Sequence, residues 1–141
     1  MRYISILCFL LMSCSSEIKN LSDEEKVCLD FSIEAKSYLI DLPRQFDDVE
    51  MNEYVVLKNI SDAKNRLDKY SNILFDCQFS MNNKELSVNR DYSELINDTD
   101  HRVNSARALL AVYGRELEKN EVAPDLESFV FQLKKMLELL G

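Results

Sequence analysis

Four cysteines and one histidine are the side chains of this 141-residue chain best suited to chemistry that an ordinary surface does not perform. A thiol can be acylated, oxidised to a disulfide or bound to a metal, and its surroundings decide among the three. Cys14 stands at the end of an apolar run from Tyr3 to Met12, directly behind the small residue Ser13, and Met1-Arg2 supply an early positive charge. That run is shorter than the roughly 20 apolar residues a membrane-spanning helix needs, so it reads as an export signal and not as an anchor. Cys8 lies inside the run and leaves with it. Cys28 and Cys77 remain, too far apart and too far from a histidine to make a zinc site.

The stretch Leu11-Met12-Ser13-Cys14 resembles the lipobox of bacterial lipoproteins, although Met12 is bulkier than the residue usual at its position. The resemblance covers the first 14 residues and implies that Cys14 becomes the first residue of the mature chain, acylated by chains such as palmitate. Ser15 behind it is similar to what Gram-negative lipoproteins sorted to the outer membrane carry. The expected organisation is a signal peptide over 1–13, a lipidated tether over 14–21 and one domain over 22–141, facing the periplasm. Each buried methylene of the acyl chains adds ~0.8 kcal/mol of membrane affinity. The tether from Ser15 to Leu21 reaches only about 3.3 Å per residue, so the domain stays close to the bilayer. Plain secretion, with a cut near Ser13 to Ser15 and Cys14 lost or left as a thiol, is the alternative. In either case the compartment is oxidising, and Cys28 and Cys77 are expected to form a disulfide. Closing that loop of about 50 residues is worth ~4 kcal/mol on chain-entropy grounds. Two buried free thiols would be the other arrangement.

The remaining chemistry is sparse. His101 sits among Asp98, Asp100 and Arg102, off the apolar stripe, and reads as a solvated helix position. Asp98-Thr99-Asp100-His101 lacks the glycine and the terminal glutamate of a calcium loop. No Gly-rich phosphate loop, Gly-x-Ser-x-Gly or His-Glu-x-x-His occurs, and 25 acids make any chosen carboxylate pair uninformative. The expectation is a protein that is not an enzyme, with no cofactor, no metal site and no evident small-molecule substrate.

Helices must position whatever site exists. Glycine occurs only at 114 and 141 and proline only at 43 and 124, so breakers are few and the punctuated spacing of a sandwich or barrel is absent. Ser22 with Glu25 three residues on has capping-box spacing and opens a first helix that buries Cys28, Phe31, Ala35, Tyr38, Leu39 and Leu42. Pro43 ends it, and a connection to about Glu53 follows, with a start that could be partly helical. Val56, Ile60, Ala63, Leu67, Tyr70, Leu74 and Cys77 alternate steps of four and three in a second helix. Tyr92, Ile96, Thr99, Val103, Ala106, Leu110, Tyr113 and Leu117 repeat that rhythm in a third. Ser80 to Asp91 between them reads as a loop. A fourth helix opens at Pro124, with Asp125 and Glu127 in its first turn, and buries Leu126, Phe129, Val130, Leu133, Met136, Leu137 and Leu140. The fold class is all-α, an up-down-up-down four-helix bundle. The disulfide constrains its register. Cys28 lies about 21 Å before Leu42 and Cys77 about 31 Å past Val56, so the second helix must start lower than the first one ends. A start as early as Val49 would make the bridge hard to close.

Charge narrows the partners. Without Arg2 the chain has 16 basic and 25 acidic residues, a net charge of −9, which makes nucleic acid and anionic lipid headgroups poor partners. Ser22 to Glu53 holds ten acids against Lys26, Lys36 and Arg44 and so supplies −7 of that charge. Asp23, Asp30, Glu34 and Asp41 fall on one face of the first helix, either a surface that steers a cationic protein or simply a solvated face. Phe46, Tyr54 and Val55 flank the connection, and Phe75, Phe79 and Phe131 stand off or at the edge of the stripes; they either widen the core or line a groove for a partner. Three function classes follow: an immunity-type or inhibitor lipoprotein with an acidic binding surface, a pilotin-like secretion accessory, and a surface or structural lipoprotein. Pilotins resemble this chain in size, lipid anchor, helical bundle and disulfide, at the level of architecture only.

Overall fold

The structure is a computed structural model, and it describes residues 21–82, 90–119 and 125–141. It holds four α-helices, α1 (Asp23–Asp41), α2 (Glu53–Asn82), α3 (Arg90–Glu118) and α4 (Leu126–Glu138), with a 3-10 turn over Leu42–Phe46 between α1 and α2. No strand occurs among the described residues. The assembly is the expected all-α four-helix bundle. Its spine is the antiparallel pair α2 and α3, of 30 and 29 residues, with α1 laid along both. The 13-residue α4 packs mainly on the 3-10 turn and on α3, so it closes one end of the bundle instead of running its full length.

The start of α1 is set locally. Ser22 Oγ accepts from the Glu25 N–H at 3.3 Å and its hydroxyl donates to Glu25 Oε1 at 3.0 Å, a variant of the capping box in which the two side chains bond each other. Leu21 is only 8% exposed, so the core begins one residue inside the expected tether. Pro43 ends the α-helix as expected, and the chain continues as a tighter turn that buries Leu42, Pro43 and Phe46. The core face of α1 is centred on Ser32, Ala35 and Leu39, which moves Phe31 from the expected stripe to a half-buried edge.

Every member of the α2 stripe from Val56 to Cys77 is buried, and Met81 continues it one step further. For that reason α2 runs to Asn82, and α3 begins at Arg90, where an Arg90 to Glu94 ion pair spans the first turn at 2.8 Å. The expected Ser80 to Asp91 loop is therefore shorter at both ends, and its middle lies outside the described residues. In α3 the expected stripe is buried except for half-buried Tyr113, and Gly114 lies against Ile60 of α2. Asp125 is not in the first turn of α4 but is its N-cap, its Oδ1 accepting from the Glu127 and Ser128 N–H groups. Met136, expected inside, is 44% exposed. Phe129, Val130, Leu133 and Leu137 are buried, Leu126 and Leu140 are half-buried at the two ends of that arc, and Met136 falls on the α4 edge beyond it.

Cys28 and Cys77 are bonded, with S–S 2.10 Å and Cα–Cα 5.9 Å, and join α1 to α2. The register works because α2 starts at Glu53 and not near Val49, and because the 3-10 turn carries the chain beyond the end of α1 before it reverses. At the far end, Arg102 of α3 donates to the Leu140 and Gly141 carbonyls at 3.3 and 3.2 Å, and Lys134 pairs with Asp47 past the 3-10 turn.

An acidic and aromatic groove between α1 and α2

Antiparallel packing brings α1 residues 30–41 opposite α2 residues 62–73, and a groove runs along the seam. Two shallow cavities lie along it, one of about 460 Å³ lined by Phe31, Glu34, Asp62, Tyr70 and Ile73, and one of about 540 Å³ lined by Asp30, Ile33, Glu34, Tyr38 and Asp41. Arg66 and Glu34 line both cavities. Tyr38 and Tyr70 form the floor, their ring centroids 5.8 Å apart and their planes tilted by 44°. The Arg66 guanidinium lies 4.5 Å over the Tyr38 ring and 5.9 Å from the Tyr70 ring, and it donates to the Tyr70 hydroxyl at 3.4 Å. That hydroxyl in turn donates to Glu34 Oε1 at 2.7 Å, while Arg66 stands 4.0 Å from the same carboxylate.

The electrostatics follow from this chain of contacts. Burial is the largest influence on both tyrosines and pushes their pKa values up; for Tyr70 the hydrogen bond to Glu34 adds to the rise and Arg66 opposes it. Both phenols are therefore neutral across the ordinary pH range, and Tyr70 serves as a donor to Glu34. The bond to Tyr70 and the nearby Glu34 hold Arg66 in its charged form. Neutral phenols, exposed carboxylates and a stacked guanidinium can bind a charged or polar chain, but they do not make a nucleophile with an activating base.

The expected site residues are distributed unevenly. Asp30, Glu34 and Asp41 line the groove, with Asp41 also paired to Arg44 at 3.3 Å. Asp23 lies further along the same helix face, fully exposed and 3.6 Å from Lys26. Phe46 is a correction: it is 1% exposed, wedged in the core by the 3-10 turn, and so offers a partner no surface. Tyr54 is 75% exposed, near the start of α2 and away from the groove. Phe75, Phe79 and Phe131 are all exposed and do not widen the core. His101 is exposed, and among the described residues no group of three potential metal ligands comes together. Cys14 lies outside the described residues, and no described helix is long and apolar enough to cross a membrane. The sequence reading missed Arg66, Lys69 and the groove roles of Tyr38 and Tyr70. Both tyrosines sit on the core stripes, and only the position of α1 across α2 turns their hydroxyls outward.

A second polar seam joins α2 to α3. Arg107 pairs with Asp68 at 2.5 Å and donates to Ser71 Oγ at 3.0 Å and to Asn104 Oδ1 at 2.9 Å, while Gln78 reaches Asn97 and Asp100. Its members satisfy one another, which marks it as a structural clasp. Comparison of the chain with protein families, curated proteins and solved structures finds no match.

Proposed function

We infer that this chain is a non-enzymatic lipoprotein of the bacterial cell envelope, anchored by lipid on Cys14 to the outer membrane and facing the periplasm. There it binds a cationic protein partner, as an immunity-type or inhibitor protein does. The carrying observation is that three of the four acids expected on the first helix, Asp30, Glu34 and Asp41, line one groove whose floor is aromatic. Aromatic floor with a charged rim is the composition of a protein-binding patch, and the −7 carried between Ser22 and Glu53 favours encounter with a basic surface. The pilotin-like alternative draws on a different feature, the exposed Phe75 and Phe79 one turn apart on α2, which suit an apolar, salt-insensitive partner.

The anchor and the partner are tested on the same material. Protein extracted from its own envelope is expected to carry acyl mass on Cys14, to lose it in Cys14→Ser, and to retain a basic protein at low salt that dissociates at high salt. An unacylated mature chain would remove the anchor, and a salt-resistant secretion subunit would favour the pilotin-like reading.

A further inference from the structure

We propose that the groove is a seat for an arginine side chain of a basic partner segment, and that Arg66 is an internal occupant which that arginine displaces from Tyr38. The proposal rests on the cationic-partner reading above and names what is recognised. Arg66 already makes the contacts of such a ligand: it stacks 4.5 Å over Tyr38, approaches Glu34 to 4.0 Å and bonds the Tyr70 hydroxyl at 3.4 Å. It is loosely held, however. Its side chain is 55% exposed and, among the described residues, has no bidentate carboxylate partner. Arg66 and Glu34 line both cavities, of about 460 and 540 Å³, so swinging Arg66 toward solvent would open the space beside Glu34 that the two share into a trough.

Charge complementarity sets the occupant. With Arg66 withdrawn, Asp30, Glu34 and Asp41 face the trough, and Lys69 is the cation left along its α2 side. A planar guanidinium can stack on the Tyr38 ring while donating to the Tyr70 hydroxyl and the Glu34 carboxylate, a combination that a lysine ammonium meets less well. The incoming residue is therefore an arginine on a basic protein segment lying along α1.

The test uses the purified protein in detergent, titrated with hexa-arginine or hexa-lysine peptide and followed by the ring NMR signals of its tyrosines. Hexa-arginine is expected to move the Tyr38 and Tyr70 signals and to bind more tightly than hexa-lysine. Arg66→Met should tighten hexa-arginine binding about threefold to fivefold, the worth of one exposed cation–π contact. Lys69→Met removes the same charge away from the ring and should change binding by less than about twofold. Tyr38→Leu should abolish the preference for arginine and Tyr38→Phe should keep it; if Tyr38→Leu does not fold, the Arg66 and Lys69 variants decide the matter. Unmoved Tyr38 signals at saturation, equal tightening by both charge removals, or equal affinity for the two peptides would each overturn the seat. A salt-sensitive envelope partner found alongside unmoved Tyr38 signals would reject the seat but leave the acidic docking surface standing. Hexa-arginine bound on Tyr38 without any envelope partner would uphold the seat and reject the function.

Discussion

Ser32 sits at the centre of the α1 core face, fully buried, and its Oγ has no hydrogen-bond partner among the described residues. A buried hydroxyl in that state costs about 1–3 kcal/mol of desolvation. Ser32→Ala is therefore expected to raise stability by about 1 kcal/mol in denaturant unfolding, and a loss of stability would show that the hydroxyl is bonded after all. The tyrosines make a pH prediction. Burial pushes Tyr92 up to about 12, and it raises Tyr38, Tyr70 and Tyr113 as well. A folded-state pKa raised above its unfolded value of about 10 means that the unfolded chain releases the proton first. These groups thus contribute fully below pH 10, and the contribution fades as pH rises toward 12. The melting temperature should fall over that interval in step with tyrosinate absorbance; a flat profile would contradict it. At Cys28 and Cys77, Cys→Ser at either position should lower stability by about 2–5 kcal/mol, and reductant should lower the melting temperature of the parent protein but not of the variant.

Among the elements, α2 and α3 were the most legible in the sequence, because each repeats steps of three and four over seven or eight stripe positions, with Gly114 near the end of α3 as the one glycine and no proline in either. Their ends were less so. Met81 prolongs α2 by one step of the same rhythm, and the ion pair from Arg90 to Glu94 starts α3 early, a local effect that an apolar count does not register. The groove was half legible. Its acids form a helix-face pattern that one helix displays alone, whereas Tyr38, Tyr70 and Arg66 come into contact only when α1 packs on α2. Phe46 was misplaced because its setting depends on the 3-10 turn, which one proline signals but does not shape. Gly114 offers a test of the α2–α3 interface. A Cβ there would meet only Ile60 Cγ2, at 3.4 Å, so Gly114→Ala should stabilise α3 by up to ~1 kcal/mol in thermal unfolding. At Gly141 a Cβ would stand 3.1 Å from the Leu39 carbonyl and 3.2 Å from Ile40 Cα. Gly141→Ala should therefore loosen the chain end from α1 and speed amide exchange at Leu140, whereas unchanged exchange would show that the end adjusts.

For the molecule as a whole, charge and architecture act together. The disulfide fixes α1 against α2 near the end where the chain enters the bundle, and the aromatic contacts of Tyr38 and Tyr70 continue the same seam. The groove thus lies on a cross-linked interface, a preorganised setting that reduces the ordering cost of binding. α4 closes the opposite end through Lys134 with Asp47 and Arg102 with the chain end, leaving the α1–α2 seam uncovered. Binding through the acidic groove is tested by a paired capture from the native envelope, using the parent protein and a D30N/E34Q/D41N variant shown to melt at the same temperature. The parent should retain a basic protein at low salt and release it at high salt, and the variant should fail to retain it at either. Equal retention by both proteins would contradict the acidic groove as the binding surface.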